Sequence, residues 1–247
     1  MLYIVATPIG NLEDITLRAI SVLRSADFIL AEDTRVTRIL LNKYNIRSPE
    51  ALLLENPRSK ASVVSYHQHS KFRKIEQIIS WLKEGKTLAL VTDAGTPGIN
   101  DPGNYLVMKC LEAMPDLKIV PIPGANAAVT ALSISGFPTD KFIYLGFPPH
   151  KKGRRTFFQR INLLDDTIVF YESKHRILKA LQELKEFSVI SNRQIVIARE
   201  LTKQFETIYR GTIDEIMLKL NSHKDNLLGE FVVVVGPREK EKNNEEE

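Results

Sequence analysis

Residues 87–103 read TLALVTDAGTPGINDPG, and the fold is decided by how this stretch is read. Leu88-Ala89-Leu90-Val91 is a short apolar run set off by the Gly85-Lys86 turn. It has no polar alternation, so it reads as a strand buried on both faces, the signature of a parallel sheet. Asp93 sits at the carboxyl end of that strand, and the loop beyond it carries three glycines and two prolines. A helical pattern resumes at about Asn104, with Leu106, Val107, Cys110 and Leu111 on one side. In open α/β sheets, ligands bind in the crevice outside the carboxyl ends of the strands. Gly95 and Gly98 let backbone approach a ligand without a Cβ between, while Pro97 and Pro102 restrict φ and pre-shape the loop. A crowded structural turn rarely needs an acid, glycines and prolines together, so the stretch is read as a ligand loop.

Upstream, the same rhythm of strand and helix repeats. Leu2 to Ala6 is a first strand, followed by the loop Thr7-Pro8-Ile9-Gly10-Asn11 and a helix carrying Leu17, Ile20 and Leu23, capped by Asp14 or Thr16. Phe28 to Ala31 is a second strand ending in Glu32-Asp33, and the helix after it presents Val36, Ile39 and Leu40. Ser62 to Tyr66 is a third strand, Ile75, Ile78, Ile79 and Leu82 mark the next helix, and Leu117 to Pro121 is a fifth strand. Strict alternation of this kind gives a largely parallel sheet with helices on both faces.

At Pro121-Ile122-Pro123-Gly124 the chain breaks, and a small-residue helix follows from Ala125 to Ser135. The expected domains are therefore 1–122, an N-terminal α/β domain, and 123–237, a C-terminal α/β domain, with residues 238–247 a disordered charged tail. Strands are expected at Phe142–Phe147, Thr167–Tyr171, Gln194–Ala198, Phe205–Tyr209 and Phe231–Val235. The step from Ala198 to Phe205 is too short for a crossover helix, so that pair is antiparallel and the second sheet mixed.

Composition excludes several classes. At 247 residues the chain can bury one large core or two modest ones. No apolar run approaches the length of a membrane span, and MLYIVATPIG lacks the basic start of a signal peptide. Cys110 is the single cysteine, so no internal disulfide framework exists, and the cytoplasm is the expected compartment. A net charge of +4 permits a nucleic-acid partner without demanding one. There is no GxGxxG after the first strand, no GxxxxGK[ST] and no GxSxG. His67 and His69 flank Gln68 without further metal-ligand spacing, so no metal is expected. Cys110 reads as core. What remains are three loops of exposed backbone and small side chains, TPIGN, DAGTPG and PGANAA, which suit a flat, mostly neutral adenosine-like ligand better than a polyphosphate.

On VATPIGNLEDITLRA, AEDTR, TDAGTPGINDPG, PIPGANAA, LGFPP, FYESKHRI and ARELTKQFE, the sequence resembles the tetrapyrrole-methylase-fold methyltransferases, which use S-adenosyl-L-methionine. Within them it is similar to the branch that 2′-O-methylates a cytidine ribose of 16S rRNA in the small ribosomal subunit. The chain departs from the broader fold's glycine-acid loops at Thr7–Asn11 and Asp93–Gly95, which favours the RNA branch over the porphyrinoid enzymes. The resemblance implies a two-domain α/β fold with the ligand cleft between the domains, a homodimer, and cofactor contacts at Pro8, Asp93, Ala94, Gly95, Gly98, Asn126, Ala127 and Tyr171.

Residues 150–155, His-Lys-Lys-Gly-Arg-Arg, place four cations within five positions after Pro148-Pro149, and Arg160 joins them. With no interleaved acids the cluster reads as a loop reaching for RNA phosphates, against the alternative of a solvated charge run. Transfer of a sulfonium methyl to a ribose oxygen needs alignment above all, helped by a base or a cation near the hydroxyl. Glu32, Asp33, Lys174, Glu200, Lys203 and Glu206 are candidates. Glu200 and Lys203, which follow the strand Gln194–Ala198, are carried forward as catalytic, each with the alternative of a structural ion pair. Two other functions compete: a porphyrinoid C-methyltransferase, and a non-catalytic RNA-binding assembly factor.

Overall fold

A computed structural model describes residues 1–46, 62–67, 72–186 and 193–238. The chain divides into two compact units, Met1–Asn126 and Ala127–Glu247. The Pro123–Asn126 turn goes with the first unit because its backbone is tied there. Thr96 Oγ1 donates to Ala125 O at 3.1 Å, and Gly124 lies so close to Ala6 that a Cβ would stand 2.9 Å from the alanine methyl.

In the first unit, β1 (Leu2–Val5), β2 (Phe28–Ala31), β3 (Val63–Ser65), β4 (Leu88–Leu90) and β5 (Ile119–Ile122) form one sheet in the order β3-β2-β4-β1-β5. All of its pairings are parallel, with Leu2 opposite Leu88 on one side and Ile119 on the other. The central strands are buried on both faces, as their unbroken apolar runs require. One face is covered by α1 (Leu17–Ser25) and α2 (Thr34–Lys43), whose Ala19, Leu23, Leu40 and Leu41 pack on Val5, Ile29 and Ala89. The other is covered by α3 (Phe72–Lys83) and α4 (Gly103–Ala113), whose Ile75, Ile78, Leu106 and Cys110 pack on Leu2, Leu30 and Leu88.

Three helix faces differ from expectation. Thr16 is the N-cap of α1, accepting from Ala19 N at 3.0 Å, but Leu17 at the first helical position is 86% exposed and the buried face begins one turn in. In α2 the buried set is Thr37, Leu40 and Leu41, which leaves Val36 and Ile39 exposed. In α4 Leu106 and Cys110 are buried one turn apart, whereas Leu111, rotated about 100° from Cys110, is exposed.

The second unit holds α5 (Ala127–Ser133), β6 (Phe142–Tyr144), α6 (Arg154–Leu163), β7 (Thr167–Ser173), α7 (Ile177–Lys185), β8 (Ile195–Arg199), β9 (Thr207–Gly211), α8 (Ile213–Asn221) and β10 (Glu230–Val235). Its sheet runs β6-β7-β10-β8-β9. β6 pairs parallel with β7, and the other neighbours are antiparallel, including β8 with β9. Phe158, Phe170, Leu181, Ile197, Ile216 and Phe231 form its core. Two buried arginines staple its loops. Arg193 donates to the carbonyls of Leu164, Asp166 and Gly236, and Arg199 to those of Phe205, Asp225 and Leu228. No helix among the described residues is long and apolar enough to cross a membrane. His69 and the tail from residue 239 lie outside the described residues.

Candidate functional site

The order of the first sheet creates a switch point. The connection from β1 leaves toward β2 and the connection from β4 leaves toward β5, although β1 and β4 are neighbours. Each connection therefore leads past the other's strand, and the two loops meet at the carboxyl ends of β1 and β4, the end of an open α/β sheet where ligands bind. The loops that meet there are the ones singled out from sequence. Thr7 and Gly95 exchange a pair of backbone hydrogen bonds, N–H of Thr7 to O of Gly95 at 2.9 Å and N–H of Gly95 to O of Thr7 at 3.1 Å. Thr7 Oγ1 adds a bond to Thr92 O at 3.0 Å. Gly95 has φ +85°, a left-handed conformation that strains any residue with a side chain, while an added Cβ would make only ordinary contacts, 3.4 Å from Ile9 Cγ2 and 3.5 Å from Ala125 O.

Beyond it, Asp101 clasps the loop from inside. Its carboxylate accepts from Gly98 N at 2.9 Å and from Gly103 N at 2.6 Å, closing the turn and starting α4. Sequence reasoning missed this residue, although an Asp two positions before a helix start is a usable signal. The strand-end acids are also engaged. Asp93 Oδ1 accepts from Asp33 N at 2.9 Å, which joins the ends of β4 and β2. Glu32 Oε2 accepts from Thr92 Oγ1 at 3.0 Å. Asp33 caps α2 and pairs with Arg35; the Arg35 side chain and N–H hold its carboxyl down at about 2.

Asp93 and Ala94 are exposed, and their backbone N–H and C=O groups make no hydrogen bond to any described residue. Exposed, unspent amides beside a half-used carboxylate suit the hydroxyls, amines and carboxylate of an adenosine-bearing amino acid. Pro8 is buried in the loop after β1. Asn126 closes the first unit. Ala127 opens α5 in the second, where the next residue, Ala128, donates its N–H to Tyr171 Oη at 3.2 Å. Burial raises the Tyr171 hydroxyl pKa, so it stays neutral, and its ring meets Tyr144 and Phe147 edge-on at 5.4 and 5.3 Å.

Glu200 and Lys203 stand together. Lys203 Nζ lies 3.0 Å from Glu200 Oε1 and 2.9 Å from Glu230 Oε2, and Glu230 N donates to Glu200 Oε1 at 2.8 Å. Burial raises the Glu200 pKa, but the Glu230 N–H and Lys203 outweigh it, and the net shift is downward. Burial likewise lowers that of Lys203, and its two carboxylates reverse the sign. Both groups are held charged. The turn that carries them is strained: Glu200 has φ +51° and Thr202 φ +65°, a region costly for residues with a side chain. Glu206 Oε2 accepts from Thr202 N at 2.6 Å and so serves the same turn.

The basic loop requires a correction. Arg154 is not a free cation: it begins α6 behind Gly153 and is 4% exposed. Its Nε lies 2.7 Å from Glu183 Oε2 and its Nη1 3.3 Å from Glu172 Oε2, while Arg176 Nε meets the other Glu172 oxygen at 3.0 Å. Lys151, Lys152, Arg155 and Arg160 remain exposed. Cys110 is fully buried and burial pushes its thiol up to about 11, so it has no nucleophilic character.

The family model described as Tetrapyrrole (Corrin/Porphyrin) Methylases matches residues 1–217. The chain is 44% identical to ribosomal RNA small subunit methyltransferase I of Escherichia coli O157:H7 over 236 residues, covering 95% of this chain and 77% of that protein. It is 42% identical to the protein of the same name from Thermotoga maritima over 238 residues, covering 96% and 99%. Among solved structures, diphthine synthase matches with a TM-score of 0.68 at 12% identity, covering 95% of this chain and 89% of that one. The uroporphyrin-III-C-methyltransferase of Thermus thermophilus matches at 0.59 and 19%, covering 95% and 93%. At those identities the structural likeness speaks for the fold alone.

Proposed function

Because the chain belongs to the tetrapyrrole methylase family, as a methyltransferase that takes its methyl group from S-adenosylmethionine, we propose that it methylates small-subunit ribosomal RNA on the 2′-oxygen of a cytidine. The observation that supports the RNA substrate is the 42–44% identity, over at least 95% of the chain, to proteins named for methylating small-subunit ribosomal RNA; the cytidine 2′-oxygen is the finer proposal. The proposed cofactor residues are those of the paired loops after β1 and β4, Pro8 and Asp93 to Gly95 with Gly98, together with Asn126, Ala127 and Tyr171. The cofactor supplies a methyl group activated on sulfur. The protein's own contribution is to fix the acceptor and manage its proton.

Lys203, kept protonated by two carboxylates, is the proposed source of positive charge for the oxygen as it loses its proton. Glu200 is proposed to hold Lys203 in place, and its lowered pKa makes it a weak base. The strain at Glu200 and Thr202 supports a functional role for this turn, since such strain persists where the surroundings over-determine it. Lys151, Lys152 and Arg155 are the proposed phosphate contacts. The protein is further proposed to act in the cytoplasm as a homodimer, which light scattering on the purified chain would check.

A 2′-O-methyl group removes the internal nucleophile of RNA strand scission. Small subunits that lack the modification, incubated with enzyme and methyl-labelled cofactor, should gain one alkali-resistant linkage 3′ of a cytidine. Label on a base atom, or on a tetrapyrrole offered in competition, overturns the reading.

A further inference from the structure

A cavity of about 440 Å³ lies at the carboxyl ends of β2 and β3, beside the Asp93–Gly98 loop but with none of that loop's residues in its lining. Every residue that lines it belongs to the first unit. Glu32 comes from the end of β2, Tyr66 from the end of β3, Asn100 and Asp101 from the turn into α4, and Asn104 and Tyr105 from its first turn. The size is that of a small-molecule site. The lining holds two carboxylates and His67 but neither lysine nor arginine, so it favours a hydrogen-bond donor over a phosphate.

The two acids are not equivalent. Asp101 is spent on Gly98 N and Gly103 N. Glu32 uses Oε2 for the Thr92 hydroxyl, and its Oε1 accepts from no described residue. The walls are aromatic. Tyr66 is buried, its hydroxyl 3.4 Å from Pro102 O, and Tyr105 stands 46% exposed.

We propose that this cavity receives the acceptor nucleoside of the RNA, base first, with an exocyclic amine donated to Glu32 Oε1. The inference rests on the reading of the chain as an RNA methyltransferase. A carboxylate accepting from the N4 amine is how proteins read cytosine, and an extruded base is held against aromatic walls. The cofactor's adenosine carries an amine as well. The RNA is favoured because none of Asp93–Gly98, the loop proposed for the cofactor, lines the cavity.

Glu32→Gln and Tyr105→Ala separate the possibilities. Glutamine keeps an oxygen for the Thr92 hydroxyl and turns an amide donor toward the cavity, where it matches O4 of uridine instead of N4 of cytidine. Methyl transfer is measured on small subunits bearing cytidine or uridine at the modified position, and S-adenosylmethionine affinity by calorimetry. Glu32→Gln should leave cofactor affinity unchanged and cut the cytidine-over-uridine ratio of kcat/KM by about 10- to 100-fold. Tyr105→Ala, at a solvent-exposed position, should raise KM for the subunits with cofactor affinity intact. If Glu32→Gln weakens cofactor binding and leaves the base preference alone, the cavity belongs to adenosine and the proposal fails. If neither variant changes either quantity, the cavity is unused and the proposal fails alone. If the parent enzyme does not methylate small subunits at all, the proposed function falls with it.

Discussion

Arg154 and its neighbours Lys151, Lys152 and Arg155 are adjacent in sequence and should behave as two different kinds of residue. Arg154→Gln removes one of the two cations that compensate Glu172, a carboxylate whose side chain is 0% exposed. Breaking a buried pair from one side costs about 3–5 kcal/mol. Here Arg176 remains 3.0 Å from Glu172 and offsets part of the loss, which places the expected cost near the lower bound, about 3 kcal/mol. For a unit of this size that corresponds to a fall in Tm on the order of 10 °C. Adding Glu172→Gln should recover part of it, because the charge left behind is then gone.

The triple variant Lys151→Gln, Lys152→Gln, Arg155→Gln should do the converse. Its Tm stays within about a degree of the parent, since surface charges contribute little to stability. The slope of log binding constant against log salt for small-subunit RNA should flatten by about 2–3 units, at roughly 0.7–0.9 per phosphate. Calorimetric melting and a salt titration of RNA binding measure both axes. An Arg154→Gln protein that melts with the parent while its salt slope drops would refute the reasoning, because Arg154 would then be a phosphate ligand.

Gly95→Val should abolish or severely weaken S-adenosylmethionine binding, since a branched residue is strained at φ +85° and would press on Ile9 and Ala125; unchanged calorimetric affinity in a folded variant would refute it. Lys203→Ala should lower kcat by 10- to 1000-fold if its charge stabilises the oxyanion, with cofactor affinity retained; a change confined to Tm would assign it a structural role only. The Glu200–Lys203 pair should be pH-insensitive through neutrality. Glu200 has a folded pKa below 4.5, so its contribution is present above that value and lost as pH falls beneath it. Lys203 has one above 10.5, so its contribution is present below that value and lost as pH rises past it. A kcat inflection near pH 6–7 that vanishes in Glu200→Gln would contradict this. Gly229→Ala, whose Cβ would lie 2.6 Å from Glu200 Oε1, should displace Glu200 and mimic its loss in the methyl-transfer assay.

The parallel sheet was legible because strands buried on both faces leave unbroken apolar runs, Leu88 to Val91 above all. The ligand loops were legible because Asp93, Gly95 and Gly98 answer local backbone demands that a window of ten residues contains. Helix faces were less so: Val36 and Ile39 are as apolar as Leu40, and only the position of the sheet decides that Thr37, Leu40 and Leu41 go inside. Arg154 was illegible for a stronger reason. Its partners Glu172 and Glu183 lie 18 and 29 positions away, so the run of charges around it advertised a surface that it does not share. The Glu32 cavity was hidden in the same way, since its walls come from four segments that meet only in the folded unit.

β10 lies at the centre of the second sheet, between β7 and β8, although it is the last of the described strands to be made. During synthesis the first unit has all five of its described strands once Ile122 has emerged, whereas β7 and β8 each wait with one edge unpaired until Val235 follows. Domains generally fold in the order of their emergence, so the nascent protein passes through a stage with one finished half and one half that lacks its keystone. A nascent chain halted before Glu230 should yield, on limited proteolysis, a resistant fragment ending near Asn126 and nothing comparable beyond it.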